Sequence, residues 1–150
     1  MGNRVEHLLT DDLMHTLQEE HYVTISSIDA ETGAPSVNAI SWIYADSGKL
    51  LRMAVDPRSS LVKNIKKNPL VAVTLIAGGS TYAVNGKAEV SAARMNEVPL
   101  KLSKIELQVH EVRDVMFYGA RLTAEPKFEK TYDQEAAEKL DQQVMDALKQ

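Results

Sequence analysis

The chain has 150 residues, enough to bury a sizeable core, and we expect a single domain over 1–150. Its net charge of -4 argues against a general nucleic-acid-binding protein, which needs a basic surface. The absence of cysteine excludes disulfide bonds, thiolate zinc sites and a catalytic thiol, and suits a cytoplasmic protein. No stretch has the apolar length of a membrane span or the pattern of a signal peptide, so no membrane partner is expected.

The first elements predicted along the chain are a helix and a strand. Thr10 is a good N-cap residue, and two aspartates follow it in the first turn, where acidic side chains stabilise a helix. The helical pattern continues to about His21. β-branched residues then largely alternate over 22–28, which indicates a strand, and glycine and proline within 31–35 predict a turn.

The rest of the chain is predicted to be mostly strands followed by a terminal helix. The predicted strands span 36–44, 50–55, 71–76, 81–90 and 102–112, with a short one at 121–124. Good helix formers with one apolar face predict an amphipathic helix over 133–149. So many strands joined mostly by tight turns favour an antiparallel barrel or sandwich, and a small barrel closed on itself suits the length best.

The stretch 51–69 predicts a strand that leads into a short cationic helix. Asp56 is a good N-cap residue, and Pro57 suits the first helical position. Arg58, Ser59 and Ser60 would lie nearest the helix start, where hydroxyls, a guanidinium and free backbone N–H groups make a site for an anion such as phosphate. The alternative is a surface helix whose lysines only complement its C-terminal dipole.

Other candidate sites are weaker. The four histidines have no convincing metal-ligand spacing, so we expect no metal site. The single tryptophan, Trp42, is either a core or interface residue or a stacking partner for a flavin. No catalytic triad or carboxylate pair can be assigned from spacing, and the catalytic residues are left unassigned.

Three stretches of the chain resemble the FMN-binding split-barrel family, which includes the pyridoxamine 5'-phosphate oxidases. They are 35–42, a strand leaving a turn; 54–69, with Ser59-Ser60-Leu61-Val62-Lys63-Asn64-Ile65 and Asn68-Pro69; and 81–90, with Gly86-Lys87-Ala88. Their order and spacing carry the resemblance. It implies a mainly β protein, an antiparallel split β-barrel with a few flanking helices, which forms a homodimer with FMN at the subunit interface.

The resemblance also implies which residues contact the cofactor. These are Asn38, Ala39, Ile40 and Ser41 in the first stretch, Ala54, Val55, Arg58, Ser59, Ser60 and Lys63 in the second, and Thr81 in the third.

Two departures from the family pattern affect the function expected. Many members carry a lysine at the position of Leu61, and some a basic residue at that of Asn38, both directed at the FMN phosphate; here Arg58, Ser59, Ser60 and Lys63 would substitute. The tail after Asp133 contains no arginine, so the substrate-binding segment of the pyridoxamine 5'-phosphate oxidases has no match. The resemblance thus implies an FMN-dependent oxidoreductase of an unknown small substrate. The alternative is a non-catalytic split-barrel protein that binds flavin, haem or another ligand.

Overall fold

The computed structural model describes residues 5–150. In chain order its elements are β1 (Val5–Glu6), α1 (Asp11–Thr16), β2 (Val23–Ile28), β3 (Pro35–Ile40), β4 (Ile43–Ser47), β5 (Leu50–Val55), α2 (Ser60–Lys67), β6 (Leu70–Ala77), β7 (Ser80–Ala92), β8 (Ser103–Asp114) and α3 (Gln134–Leu148). The expectation that the N-terminus carries no signal peptide falls partly on residues 1–4, which lie outside the described part. None of the described helices is long and apolar enough to cross a membrane.

All the strands belong to one antiparallel sheet. Its order is β3-β2-β6-β7-β8-β5-β4, and β1 pairs with β8 beside this path. The two longest strands, β7 and β8, pair along most of their length, with register shifts after Asn85 and Val90. Bulges of this kind bend a sheet and increase its twist. The prediction of a mainly β, antiparallel split barrel is confirmed.

The prediction of a closed barrel is wrong, because the sheet ends in two edge strands, β3 and β4. We predicted one strand over 36–44, but the chain turns at Ser41 and Trp42 and forms two strands there. β3 pairs with β2, whereas β4 pairs with β5 at the other end of the sheet. The two edge strands are consecutive in sequence but are not hydrogen-bonded to each other, and the barrel is split between them.

Two apolar clusters hold the fold together. The larger lies inside the curved sheet and follows the alternation of the strands, since inward-facing positions are buried and their neighbours are not. Its fully buried members include Leu17, Val23, Ile25, Ile43, Leu51, Met53, Leu61, Val73, Ile105 and Leu107. The smaller cluster packs Val144 and Leu148 of α3 against Ala54, Met95 and Leu102. Burying one leucine or valine in such a cluster contributes roughly 1.5–3 kcal/mol.

Three further differences from the predicted elements concern the first helix, residues 121–124 and β1. The first helix has the predicted cap, Thr10, but it ends at Thr16 rather than near His21. The reason is that the carbonyl of Leu17 accepts from the N–H of Ala45, so the chain joins the edge of β4 instead of continuing as a helix. No strand forms at 121–124, where Leu122 makes one backbone bond to Gly79, and β1 was not predicted. The terminal helix is confirmed, with Asp133 as its cap.

Helix α2 is fixed to the hairpin between β2 and β3 by a buried amide. Asn64 is only 1% exposed; its Nδ2 donates to the hydroxyl of Ser27 at 3.0 Å, and its Oδ1 accepts from the N–H of Ala30 at 2.9 Å. Lys67 adds a bond to the carbonyl of Ala30 at 2.7 Å. These contacts set the position of the helix start relative to β3.

The bulge in β7 requires glycine. A Cβ added to Gly86 would lie 2.0 Å from the carbonyl oxygen of Gln108, a backbone atom that cannot move aside without shifting β8. We expect Gly86→Ala to lower the free energy of unfolding by about 3 kcal/mol or more. Gly33→Ala is the control, because its Cβ would meet no atom and only the positive φ is strained, at a cost of about 1 kcal/mol. Urea denaturation of both variants tests this, and equal losses would contradict it.

Candidate functional site

A cavity of about 490 Å³ lies beside the split in the barrel, and we call it the seam cavity. The end of β3, the end of β5, the start of α2 and the segments before β8 and α3 form its walls. Its lining residues are Asn38, Ala39, Ile40, Ser41, Trp42, Ala54, Val55, Asp56, Ser59, Leu100, Leu102, Lys130 and Tyr132. Two other cavities, of about 580 Å³ beside α1 and about 490 Å³ near His110, contain none of the predicted site residues.

Most of the predicted cofactor-contacting residues come together at the seam cavity. The lining includes Asn38, Ala39, Ile40, Ser41, Ala54, Val55 and Ser59, although β3 and β5 are not neighbours in the sheet. The four others, Arg58, Ser60, Lys63 and Thr81, do not line it. Thr81 lies in β7, where its hydroxyl contacts the sulfur of Met116.

Sequence reasoning missed the wall formed by Leu100, Leu102, Lys130 and Tyr132. No local pattern marks these residues, because segments far along the chain carry them to the cavity. Trp42 was weighed as a possible flavin neighbour, and it does line the cavity, while its ring also packs against the smaller apolar cluster.

The helix start differs from the prediction that Asp56 is the cap and Pro57 the first helical residue. The cap is Ser59, whose hydroxyl accepts from the N–H of Leu61 at 3.2 Å, and α2 begins at Ser60. Asp56 instead closes a turn, since its Oδ1 accepts from the N–H of Arg58 at 2.8 Å. The carboxylate is therefore occupied by a preceding turn and is not free to cap the helix.

The two cations predicted to meet a phosphate are both paired with acids. The guanidinium of Arg58 donates to both oxygens of Asp56, at 3.2 and 2.9 Å, and it is 89% exposed at the rim of the cavity. Lys63 pairs with Glu31 at 3.0 Å, also in solvent. Because exposed ion pairs exchange partners readily, either cation is available to a stronger anionic partner.

Asn38 has a buried oxygen without a partner. Its Oδ1 is shielded from solvent, and it accepts no hydrogen bond from any described residue. An unpaired buried acceptor costs about 1–3 kcal/mol. Because Asn38 lines the seam cavity, a rotation of its amide would let this oxygen accept from an N–H or O–H donor of a ligand bound there.

A charged cluster surrounds Lys130, which lines the cavity, and we call it the Lys130 cluster. The ammonium of Lys130 lies 2.7 Å from Oε2 of Glu20 and 2.8 Å from Oδ1 of Asp141. The same Glu20 oxygen accepts from the hydroxyl of Ser41 at 2.5 Å, and the same Asp141 oxygen accepts from the indole N–H of Trp42 at 2.9 Å. The three charged side chains are about four-fifths buried.

No metal centre accompanies these groups in the described part of the chain. Within residues 5–150, no three or more histidine, aspartate and glutamate side chains are arranged to hold a metal ion.

Comparison with known proteins identifies the family. Residues 9–144 match the family model described as pyridoxamine 5'-phosphate oxidase. The chain belongs to the pyridoxamine 5'-phosphate oxidase family. Among curated proteins, no sequence matches it significantly.

Solved structures of the same fold come from proteins with different names. A protein from Lactobacillus delbrueckii, described as a candidate pyridoxamine 5'-phosphate oxidase, has 18% identity and a TM-score of 0.61, and the match covers 75% of this chain and 98% of that one. An F420 reductase has 20% identity and a TM-score of 0.54, and the match covers 69% of this chain and 98% of that one. A haem-binding protein from Mycobacterium smegmatis has 16% identity and a TM-score of 0.55, and the match covers 72% of this chain and 54% of that one. Similarity at identities this low shows that this member of the pyridoxamine 5'-phosphate oxidase family shares their fold. It does not show which ligand the protein binds.

The pairing at the cavity rim predicts a shifted titration. Hydrogen bonds from the guanidinium and then from the backbone N–H of Arg58 lower the pKa of Asp56 from 3.8 to about 2. Because the pKa is lower in the folded state, the pair contributes stability at pH values above 3.8, and this contribution is lost as the pH falls through about 2. We expect Arg58→Ala to raise the pKa of Asp56 part of the way back. An NMR titration of its carboxyl carbon measures this, and an unchanged pKa would mean that the guanidinium has no part in the shift.

Proposed function

We propose that this protein binds FMN in the seam cavity and is a flavin-dependent oxidoreductase acting on a small substrate. The observation that carries the proposal is the unpaired Oδ1 of Asn38 in the wall of a cavity that gathers seven of the residues at which the family resemblance implies flavin contacts. The cavity volume of about 490 Å³ is in the range of about 300–1,000 Å³ typical of small-ligand sites.

The residues present suit the parts of FMN. The isoalloxazine ring is flat and largely apolar, with a single ring N–H between two carbonyls, and Asn38 would accept from that N–H. Ile40, Val55 and Trp42 offer apolar surface for the ring. The hydroxyl of Ser59 and the backbone N–H of Ser60, at the start of α2, would face the phosphate. FMN would supply the electron chemistry, and the chain would bind and orient it.

Arg58 is the cation best placed to meet the phosphate. It is flanked by Ser59, which lines the cavity, and its exposed guanidinium can exchange Asp56 for a doubly charged phosphate. Leu61 cannot take the part of the family lysine, because it is apolar and fully buried.

The charge of the cavity bears on the substrate. Lys130, the one cation among the described lining residues, already has two carboxylate partners, so the lining offers a phosphorylated substrate no unpaired cation. For this reason, and because the tail lacks arginine, we do not propose pyridoxamine 5'-phosphate as the substrate.

Haem and F420 are the ligands named by two structural neighbours. Of the side chains that commonly bind haem iron, the described lining of the seam cavity offers only Tyr132, so the lining favours a flavin. Absorption spectra of the purified protein with FMN, F420 and haem compare the three directly. Reduction of bound FMN by NADH or NADPH would separate an oxidoreductase from a non-catalytic binding protein.

Two substitutions and two ligands test the placement of FMN. Arg58→Ala removes a charged hydrogen bond worth roughly 1.5–3 kcal/mol, so FMN binding should weaken about ten- to a hundredfold, while riboflavin, which has no phosphate, should bind as before. Asn38→Ala removes a neutral hydrogen bond worth roughly 0.5–1.5 kcal/mol, so FMN and riboflavin should both weaken, about three- to tenfold.

Fluorescence titration measures both ligands on both variants, and a misfolded variant is recognised because it loses the two ligands completely. If Arg58→Ala affects FMN and riboflavin alike, the guanidinium of Arg58 does not hold the phosphate. If Asn38→Ala affects neither ligand, its amide does not contact the ring.

We also propose that the protein is a homodimer. Val37, Phe117 and Tyr118 are 62%, 70% and 95% exposed, and such large apolar side chains are more stable when a partner covers them. Sedimentation velocity at micromolar concentration should show a dimer, and a monomer across the whole accessible concentration range would rule this assembly out.

A further inference from the structure

One wall of the seam cavity is a segment that the backbone does not secure. Residues 123–132 belong to no strand or helix, yet Lys130 and Tyr132 from this segment line the cavity. Among the described residues, no backbone hydrogen bond joins these ten residues to the rest of the chain. The nearest such bonds are that of Leu122 to Gly79 on one side and the first bonds of α3 on the other.

The side chain of Lys130 supplies the attachment that the backbone lacks. Its ammonium reaches Glu20, between α1 and β2, and Asp141, in α3. It also lies 5.4 Å from the ring centre of Trp42 and 5.8 Å from that of Phe128, within the range of cation–π attraction.

The two carboxylates have partners besides Lys130. Glu20 accepts from Ser41, and Asp141 accepts from Trp42, so both acids are oriented by residues of the β3–β4 connection. α3 itself is anchored by Val144 and Leu148 in the smaller apolar cluster. The receiving side is thus held by contacts of its own, whereas no backbone bond among the described residues holds the segment that carries Lys130.

The charges make Lys130 essential to this arrangement. Burial by itself lowers the pKa of Lys130, but the hydrogen bonds to Asp141 and Glu20, and their charges, outweigh burial and raise the pKa above its usual value. Without the ammonium, two partly buried carboxylates would face each other with a net charge of -2 instead of -1. Repulsion and desolvation would then both favour opening.

We propose that residues 123–132 form a strap that opens and closes the seam cavity, and that Lys130 is its latch. The identity of the ligand, FMN, rests on the proposed function, whereas the existence of the strap does not. Phe128 and Tyr132 are half exposed, so the strap has solvent on its outer side and the cavity on its inner side. A strap of this kind would control the rates at which a ligand enters and leaves the cavity. It would have less effect on the contacts that the bound ligand makes inside.

Proteolysis of the ligand-free protein tests the strap directly. Chymotrypsin cleaves after aromatic residues, and Phe128 and Tyr132 lie in the strap, whereas Phe117 and Tyr118 lie in an exposed loop outside it. We expect Lys130→Met to speed cleavage after Phe128 and Tyr132 by about tenfold and to leave cleavage after Phe117 and Tyr118 unchanged. Fragments are identified by mass spectrometry.

Matched variants control the experiment. Lys127→Met removes an exposed lysine of the same segment that contacts no described acid, and it should behave as the parent. Lys130→Arg keeps the charge and should restore much of the protection. If Lys130→Met fails to fold, cleavage rises at every site, and a triple variant with Glu20→Gln and Asp141→Asn then removes the latch without leaving unpaired charges. It should show the same local opening.

Trp42 gives a second readout, because it is the only tryptophan and contacts the latch. Opening should expose its ring to water and shift its emission to longer wavelength in Lys130→Met but not in Lys127→Met. FMN should dissociate about tenfold faster from Lys130→Met than from the parent.

The outcomes separate the strap from the proposed function. If the parent binds no FMN, the cofactor assignment fails, and cleavage and fluorescence of the ligand-free protein still decide whether the strap exists. If Lys130→Met, or the triple variant in its place, matches the parent in cleavage after Phe128 and Tyr132 and in Trp42 emission, the latch proposal is wrong, whatever FMN does.

Discussion

The structure depends on a change of partner at Ser41 and Trp42. The carbonyl of Ser41 accepts from the N–H of His21 at 3.1 Å, while the carbonyl of Trp42, one residue later, accepts from the N–H of Ala54 at 3.0 Å. Two adjacent carbonyls thus bond to opposite ends of the same sheet. The N–H of Ile43 also donates to the carbonyl of Ser41 at 3.0 Å, so the chain turns here, β3 and β4 become separate edges, and the barrel stays split.

That turn also creates the site. It brings residues 38–42 opposite the end of β5 and the start of α2, which is where the seam cavity lies. Asn64 secures the helix to the hairpin that leads into β3, so the two walls keep their spacing. A side chain such as Asn38 can therefore keep a buried, unpaired oxygen, since the backbone around it is held by bonds of its own.

Cations at the site are paired with acids in every case that we described. Arg58 has Asp56, Lys63 has Glu31, and Lys130 has both Glu20 and Asp141. The first two pairs are exposed and can exchange for an anionic ligand, whereas the third is largely buried and tied to neighbouring polar groups. An exposed cation such as Arg58 can thus contact a ligand, whereas the buried cation Lys130 attaches a wall of the cavity. The degree of burial decides which of the two a cation does.

The sequence by itself determined the parts of the fold that depend on near neighbours. The apolar run at 71–76, the stretch 81–90 and the alternation within 102–112 mark strands that the structure contains, and Thr10 caps the first helix as predicted. The three resembling stretches indicated the family, the split barrel and most of the residues that line the cavity. Periodicity and capping act within a few residues, so they can be recognised without knowing the rest of the chain.

Only the tertiary structure decided the break in the strand at 41–42, the shift of the α2 cap to Ser59 and the pairing of Lys130. The break and the pairing depend on distant groups, since Trp42 bonds to Ala54, and Glu20 and Lys130 are 110 residues apart. The cap shifts for a nearer reason, because Arg58 takes the carboxylate of Asp56. No local pattern encodes the break or the pairing, because their outcome is set by the free energy of the whole packed sheet rather than by the residues on either side.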